Sequence, residues 1–276
     1  MIGTVFSPYY AFSGRKDPHN YVSLNVGLYG KGVRRWTMTE RGNAALTQSP
    51  QALQIGPSDL KWASNTLTIT IKERGAPLPQ RVEGQIVIAC PNISAAAYKL
   101  DTKGRHFWHP IAPHARADAS FDAPAMQWSG DAYVDSNWGS EPLEDGFEYW
   151  DWARAPLPDG AGIYYDARTR TGEDRRLALR FNEAGQAREF PCPAPTPLKK
   201  GPIWRVRRAV PLENGGSART VTMLEDTPFY TRSRIEVPFE GQSAVAVHES
   251  LDLDRFASTW VRCLLPFRMP RRTSWP

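Results

Sequence analysis

Short alternations of apolar and polar residues, each closed by a turn, recur along this 276-residue chain and leave little room for long helices. Residues 67–72 (LTITIK) are the clearest case. Their side chains alternate as those of a strand with two unlike faces must. The same reading applies to 21–29, 34–39, 81–90, 133–135, 162–167, 175–182, 205–210, 220–224, 230–237 and 244–248. Turn residues fall between them, at Glu73-Arg74-Gly75, Lys103-Gly104, Glu183-Ala184-Gly185 and Asn214-Gly215-Gly216. With 24 Pro and 21 Gly spread through the sequence, the pattern is all-β and antiparallel, joined by hairpins. There are too many strands for one small barrel, so two barrels or one large sandwich fit the length. The stretch 156–160 (PLPDG) offers a division into an N-terminal domain over 1–155, which carries the candidate site, and a C-terminal domain over 156–276. A second proline-rich stretch, 191–197, reads as a surface loop.

The formal net charge of +5 is a mild excess. It suits a chain that meets an anionic membrane surface as well as one that simply stays in solution. Cys90, Cys192 and Cys263 are odd in number and far apart, which favours reduced thiols in a cytoplasmic protein. The opening MIGTVFSPYYAF lacks the basic start and apolar core of a signal peptide. No apolar run approaches the ~20 residues that span a bilayer. The one piece expected to be helical or interfacial is 255–272 (RFASTWVRCLLPFRMPRR). It mixes Trp260, Leu264, Leu265, Phe267 and Met269 with five arginines, the composition of a segment that lies on a membrane. Pro266 and Pro270 interrupt any helix there, and the alternative is a tail packed on the body with its arginines solvated.

The stretch 130–155 (GDAYVDSNWGSEPLEDGFEYWDWARA) interleaves carboxylates with three Trp and two Tyr, as an apolar pocket with a few proton donors would. Tyr133 and Asp135 are two apart, and so are His106 and Trp108. On strands, each pair shares a face, and two such pairs on neighbouring strands would converge. A carboxyl among rings is readily kept protonated, because burial disfavours its charge. An imidazole can act as acid or base, and indole or phenol rings can face a developing cation. Neither pair is specific by itself. A metal site at His106, His109, His114 and Asp118 competes, but Pro110 and Pro113 separate the imidazoles. Glu141, Glu144, Asp145 and Glu148 offer paired carboxylates of a hydrolase, but they follow a turn at Gly139. Arg168, Arg170, Arg175 and Arg176 carry no nucleic-acid motif and read as a charged strand face. No phosphate-binding loop, dinucleotide fingerprint or serine nucleophile elbow is present.

Several longer motifs, in order, carry a resemblance: VFSPYYAF (5–12), LNVGLYG (24–30), WTMTERG (36–42), DSNWGSEPL (135–143), WDWARA (150–155), LEDTPFYTRS (224–233) and the tail from 250 to 272. On these the chain resembles the carotenoid 1,2-hydratases, or hydroxyneurosporene synthases, of phototrophic bacteria, nearly end to end. The resemblance implies two lipocalin-like antiparallel β-barrel domains with a short C-terminal amphipathic segment. It implies addition of water across the terminal C1–C2 double bond of an acyclic carotene such as neurosporene or lycopene, giving a tertiary alcohol without a cofactor. It also implies that an H-x-W and a Y-x-D serve activity, which places the catalytic set at His106, Trp108, Tyr133 and Asp135. The expected roles are Asp135 as proton donor, Trp108 with Tyr133 beside the cation or Tyr133 instead holding the Asp135 carboxyl by hydrogen bond, and His106 orienting or deprotonating the incoming water. A cytoplasmic protein, peripheral on the inner or intracytoplasmic membrane, would meet such a substrate. Two other readings remain open at this point. One is a different lipocalin-like enzyme, a pericyclase or terpenoid-modifying enzyme. The other is a carrier that binds apolar ligands unchanged.

Overall fold

A computed structural model of the chain describes residues 1–212 and 216–272. The turn expected at Asn214 and Gly215 lies outside the described residues. Antiparallel strands dominate and the helices are one or two turns long, as the alternation in sequence demands. By their contacts the residues divide into two compact units, each drawn from separated stretches of chain. The first takes 1–91, 115–132 and the chain from 262 onward; the second takes 92–114 and 133–261. Residues 155 and 156 both fall within the second of these units.

In the first unit, Ser7 caps α1 (Pro8–Phe12) by accepting the Tyr10 N–H at 2.9 Å. β1 (Val22–Gly30) and β2 (Val33–Arg41) form a hairpin in register from Val22↔Arg41 to Gly30↔Val33. A meander follows through β3 (Leu46–Ser49), β4 (Ala52–Ile55), β5 (Ser58–Ala63), β6 (Thr66–Arg74) and β7 (Arg81–Ala89). The LTITIK alternation is that of β6. Its Ile69 and Ile71 join Leu28, Val82, Ala119 and Phe121 in the core of this unit. A large side chain buried this way contributes on the order of 1.5–3 kcal/mol.

After β8 (Tyr98–Lys99) comes a hairpin of unusual length, β9 (His106–Ala123) and β10 (Ala125–Gly139). Residues 115–132 of it belong to the first unit, where β9 pairs with β7 from Ala89↔Arg116 onward. The remainder belongs to the second unit, where β8 pairs Tyr98 with Trp108. β9 runs straight through Pro110 and Pro113. Both lie before the β7 ladder begins, where a missing N–H breaks no ladder bond to that strand.

The second unit continues with α2 (Leu143–Gly146), β11 (Phe147–Leu157), β12 (Gly160–Thr169), β13 (Asp174–Asn182), β14 (Ala187–Glu189), β15 (Pro195–Pro197), β16 (Ala209–Pro211), β17 (Arg219–Asp226), β18 (Tyr230–Phe239) and β19 (Gln242–Asp252). Pro158 and Asp159, in the stretch expected to separate two domains, turn the β11–β12 hairpin, with Leu157 opposite Gly160. The seven-stranded sheet runs β14-β13-β12-β11-β19-β18-β17. This order is open, as is that of the sheet from β3 to β10, so the described strands form open sheets rather than closed barrels. The strand expected over 205–210 shortens to β16, because Arg205 takes a left-handed conformation (φ 57°) that no strand continues.

Strand β11 explains why the WDW motif matters. Ala153, Ala155 and Leu157 face the core of the unit with Tyr164, Val210, Ile235, Val237 and Phe239. Asp151 shares that face, buried, with its carboxylate accepting from Ser250 Oγ, the Ala209 N–H at 3.1 Å and Arg207 Nη1 at 2.9 Å. Burial pushes its pKa up to about 6. The period of two then sends Trp150 and Trp152 to the opposite face.

The C-terminal segment is built into the protein. Asp252 Oδ1 caps α3 (Leu253–Ala257) by accepting the Arg255 N–H at 3.0 Å. α4 (Thr259–Leu264) ends where Pro266 forbids continuation, and β20 (Arg271–Arg272) pairs in parallel with β2. Phe256, Val261 and Met269 are buried. The alternative of solvated arginines does not hold for Arg255, which donates to the Trp204 carbonyl at 2.6 Å, nor for Arg268 and Arg271. Arg268 lies 4.2 Å from the Trp36 ring centre, and Arg271 pairs with Glu40 at 2.6 Å.

Candidate active site

Three of the four residues singled out in the sequence converge in the second unit. Trp108 Nε1 donates to Asp135 Oδ2 at 2.9 Å and to Tyr133 Oη at 3.1 Å. Tyr133 in turn donates its O–H to the same Oδ2 at 3.1 Å. Strand alternation puts Tyr133 and Asp135 on one face of β10, and Trp108 on β9 meets both of them there. One carboxylate oxygen thus holds two donors, and the Asn137 side chain also hydrogen-bonds the Asp135 carboxyl.

Rings close the surroundings. Trp108 is fully buried, with Tyr98 at 5.5 Å and Tyr165 at 5.2 Å between ring centres. Trp152 lies 5.3 Å from Tyr133, and Trp150 lies 6.2 Å from Tyr165. The register that does this is simple: Trp152 stands opposite Tyr165 on β12 and opposite Glu249 on β19. Glu249 is in turn held by Arg232, whose Nε and Nη2 both reach Oε1 at 2.8 Å. Tyr165 and Glu249 adjoin this candidate site, and no short spacing in the sequence points to them. Only the pairing of β11 with its two neighbours brings them in.

Asp135 itself is reached by solvent, yet protein surrounds it closely enough to desolvate it. Desolvation raises its pKa above the ordinary carboxylate value. The hydrogen bonds from Trp108 and Tyr133 pull it part of the way back, and the negative charge of Glu249 pushes it up again. Burial and the neighbouring Asp135 charge hold the Tyr133 phenol well above its usual range, so Tyr133 stays a donor.

His106 does not join this group. Its ring is 2% exposed, and its Nδ1 lies 3.2 Å from Asp101 Oδ2 and 3.8 Å from Glu141 Oε1. The ring packs edge-on against Phe147 at 4.7 Å. No hydrogen bond or ring contact links it to Trp108, Tyr133 or Asp135. Gly139 and Gly146 make room for it: a Cβ at Gly146 would lie 2.5 Å from His106 Cε1, and one at Gly139 would lie 2.9 Å from Cδ2. Gly146→Ala should therefore lower stability by about 1–3 kcal/mol, the usual range for overpacking, read as a fall in thermal midpoint.

The competing constellations are dispersed. His109 Nε2 meets Ser94 O at 2.6 Å, His114 Nδ1 meets Gly160 O at 3.0 Å, and Asp118 is bonded to Ser129. Among the described residues, no three His, Cys, Asp or Glu side chains are grouped as metal ligands. Glu141 pairs with Arg105, Glu148 pairs with Arg168, and Glu144 is buried. Arg170 pairs with Asp254 at 2.8 Å.

The family model for carotenoid hydratase CrtC matches residues 1–276. The chain is 51% identical to the acyclic carotenoid 1,2-hydratase of Thiocapsa roseopersicina, over 98% of this chain and 68% of that protein. It is 41% identical to that of Cereibacter sphaeroides and 36% identical to that of Rhodobacter capsulatus, over 100% of this chain and 98% of each relative. Among solved structures, the crystal structure of CghA with Sch210972 aligns over 79% of each chain at 10% identity, with a TM-score of 0.43. The chain belongs to the CrtC carotenoid hydratase family.

Proposed function

We infer that this chain is an acyclic carotenoid 1,2-hydratase, a hydro-lyase that adds water across a terminal C1–C2 double bond. Relatives of that name cover its whole length, and the observation that carries the chemistry is the Trp108–Tyr133–Asp135 group. An isolated trisubstituted alkene is a weak base, so its hydration needs a well-placed acid and a stabilised cation. Asp135, whose desolvated setting raises its pKa, gives its proton to C2. The cation then forms at C1, the more substituted carbon. Water adds at C1, and the carboxylate just formed on Asp135 can accept the proton that water releases. No net electrons move, so one group serves as acid and then base.

Two of the expected roles change. The faces of Trp108 are covered by Tyr98 and Tyr165, so its contribution is the N–H that orients Asp135. Cation stabilisation falls to the half-buried Tyr133 and Trp152, each good face contact contributing about 0.5–2 kcal/mol. His106, enclosed and tied to Asp101, acts as a positioning residue for the start of β9 rather than on the water. A bilayer-dissolved substrate places the working enzyme at a membrane surface. None of the described helices is long and apolar enough to cross a membrane.

The direct test is product analysis with lycopene or neurosporene in liposomes. A mass gain of one water supports the hydratase. Carotene that co-purifies unchanged favours a carrier, and a rearranged product without added water favours a different enzyme.

The pH dependence is a second test. Because protonated Asp135 is the active form, the rate should fall as pH rises through its raised pKa. Glu249→Gln removes a charge that raises this pKa, so the falling limb should move to lower pH. A limb that stays in place would remove Glu249 from the site's electrostatics.

A further inference from the structure

The most exposed aliphatic side chain of the second unit stands on a loop that the chemistry above does not use. Residues 199–205 (KKGPIWR) leave Ile203 74% exposed and Trp204 37% exposed. The Trp204 ring stacks on Trp260, itself 51% exposed, at 6.0 Å between centres. Together they make an apolar tip of one aliphatic and two indole side chains.

This tip is held outward by the structure beneath it. Asp226 Oδ2 accepts the Ile203 N–H at 2.7 Å and the Trp204 N–H at 3.4 Å. Arg255 Nη1 donates to the Trp204 carbonyl at 2.6 Å and to the Pro228 carbonyl at 3.3 Å. The loop leaves through Arg205 in the left-handed region, a conformation that a non-glycine residue adopts only when its surroundings hold it there. A loop braced at both ends keeps its apolar side chains in water instead of folding them inward.

Charge identifies the partner. Lys199, Lys200 and Arg205 flank the tip, all three exposed, and among the described residues none has an acidic partner. The acids nearby are already engaged. Asp226 is bonded to the loop backbone, Asp252 caps α3, and Asp254 pairs with Arg170. Indoles beside unpaired cations match an interface whose outer layer is anionic and whose inner layer is apolar. A second copy of this chain would bring the same cations against each other.

We propose that the loop 199–205, with Trp260, is a docking surface for an anionic lipid bilayer. Ile203 and the indoles enter the headgroup boundary, while Lys199, Lys200 and Arg205 meet lipid phosphates. This inference does not depend on the hydratase reading, and its test contains no carotene.

The experiment is co-sedimentation of the full chain with vesicles of phosphatidylglycerol and phosphatidylcholine, beside phosphatidylcholine alone. The wild type should prefer the anionic vesicles, and salt should weaken its binding. The double variant Ile203→Ser/Trp204→Ser should lose at least about tenfold in partition coefficient, because two large apolar side chains no longer enter the interface. Lys199→Glu/Lys200→Glu should lose at least about tenfold on anionic vesicles only. Both variants change exposed residues, so their thermal midpoints should match the wild type, and hydration of carotene in detergent micelles should persist. Undiminished vesicle binding by both folded variants would overturn the proposal. So would a wild-type dimer that the apolar variant dissociates, with no vesicle binding, since the surface would then be a contact between copies.

Discussion

An Asp135→Asn enzyme is expected to fold normally and to hydrate carotene about 10²–10⁴-fold more slowly, the usual contribution of a positioned general acid. Asparagine preserves the oxygen that accepts from Trp108 and Tyr133, so the hydrogen-bonded group can persist. What it lacks is a proton to give to C2. Because Asp135 is open to solvent, the change should cost little stability, within about 1 kcal/mol. Chromatography and mass of the carotenoids, with a melting curve on the same sample, separate the two effects. Turnover near the wild-type rate would move the acid to another group. A variant that fails to fold would show Asp135 to be structural, contrary to its exposure.

Trp108→Ala carries the largest expected loss of stability. The indole is fully buried and packs against Tyr98 and Tyr165, so truncation leaves a cavity and should cost about 3–5 kcal/mol. Activity should fall with it, and this variant alone cannot separate packing from chemistry. Trp108→Phe does so, because it keeps most of the ring and removes the N–H. The Trp108 hydrogen bond lowers the Asp135 pKa. Without it the pKa rises further, and the falling limb of the pH–rate profile should move to higher pH. This is opposite to the shift expected for Glu249→Gln. Two variants that move the same limb in opposite directions would be hard to explain unless Asp135 is the titrating group. Movement in the same direction would break the assignment.

Features of this molecule that depend on short spacings are legible in the amino-acid sequence. The alternation of LTITIK is the alternation of β6, and the two-residue spacing of Tyr133 and Asp135 does put both beside Trp108. The same rule misleads at His106, since sharing a strand face with Trp108 says nothing about which neighbours lie two residues further along. There the neighbours are Asp101, Gly139 and Gly146. Pro110 and Pro113 obscure β9 because a proline is tolerated wherever its missing N–H faces no ladder, and that depends on strand order, which local sequence does not record. Pro156 to Gly160 has the composition of a linker and the pairing of a hairpin. Glu249 and Tyr165 lie far from the motif and join it only through the register of three strands.

The interleaving of the two units has a consequence for synthesis on the ribosome. The first unit begins at the N-terminus, yet β20 and the Arg271 pair with Glu40 come from the far end of the chain. Its early strands must therefore wait through translation of the whole second unit. At ~5–20 residues per second, that interval is on the order of ten seconds or more, with the edge of β2 unpaired along its β20 side. A gene fragment ending before residue 262 would never close that edge. Attempts to produce either unit alone should be limited by aggregation of nascent chains before activity can be measured.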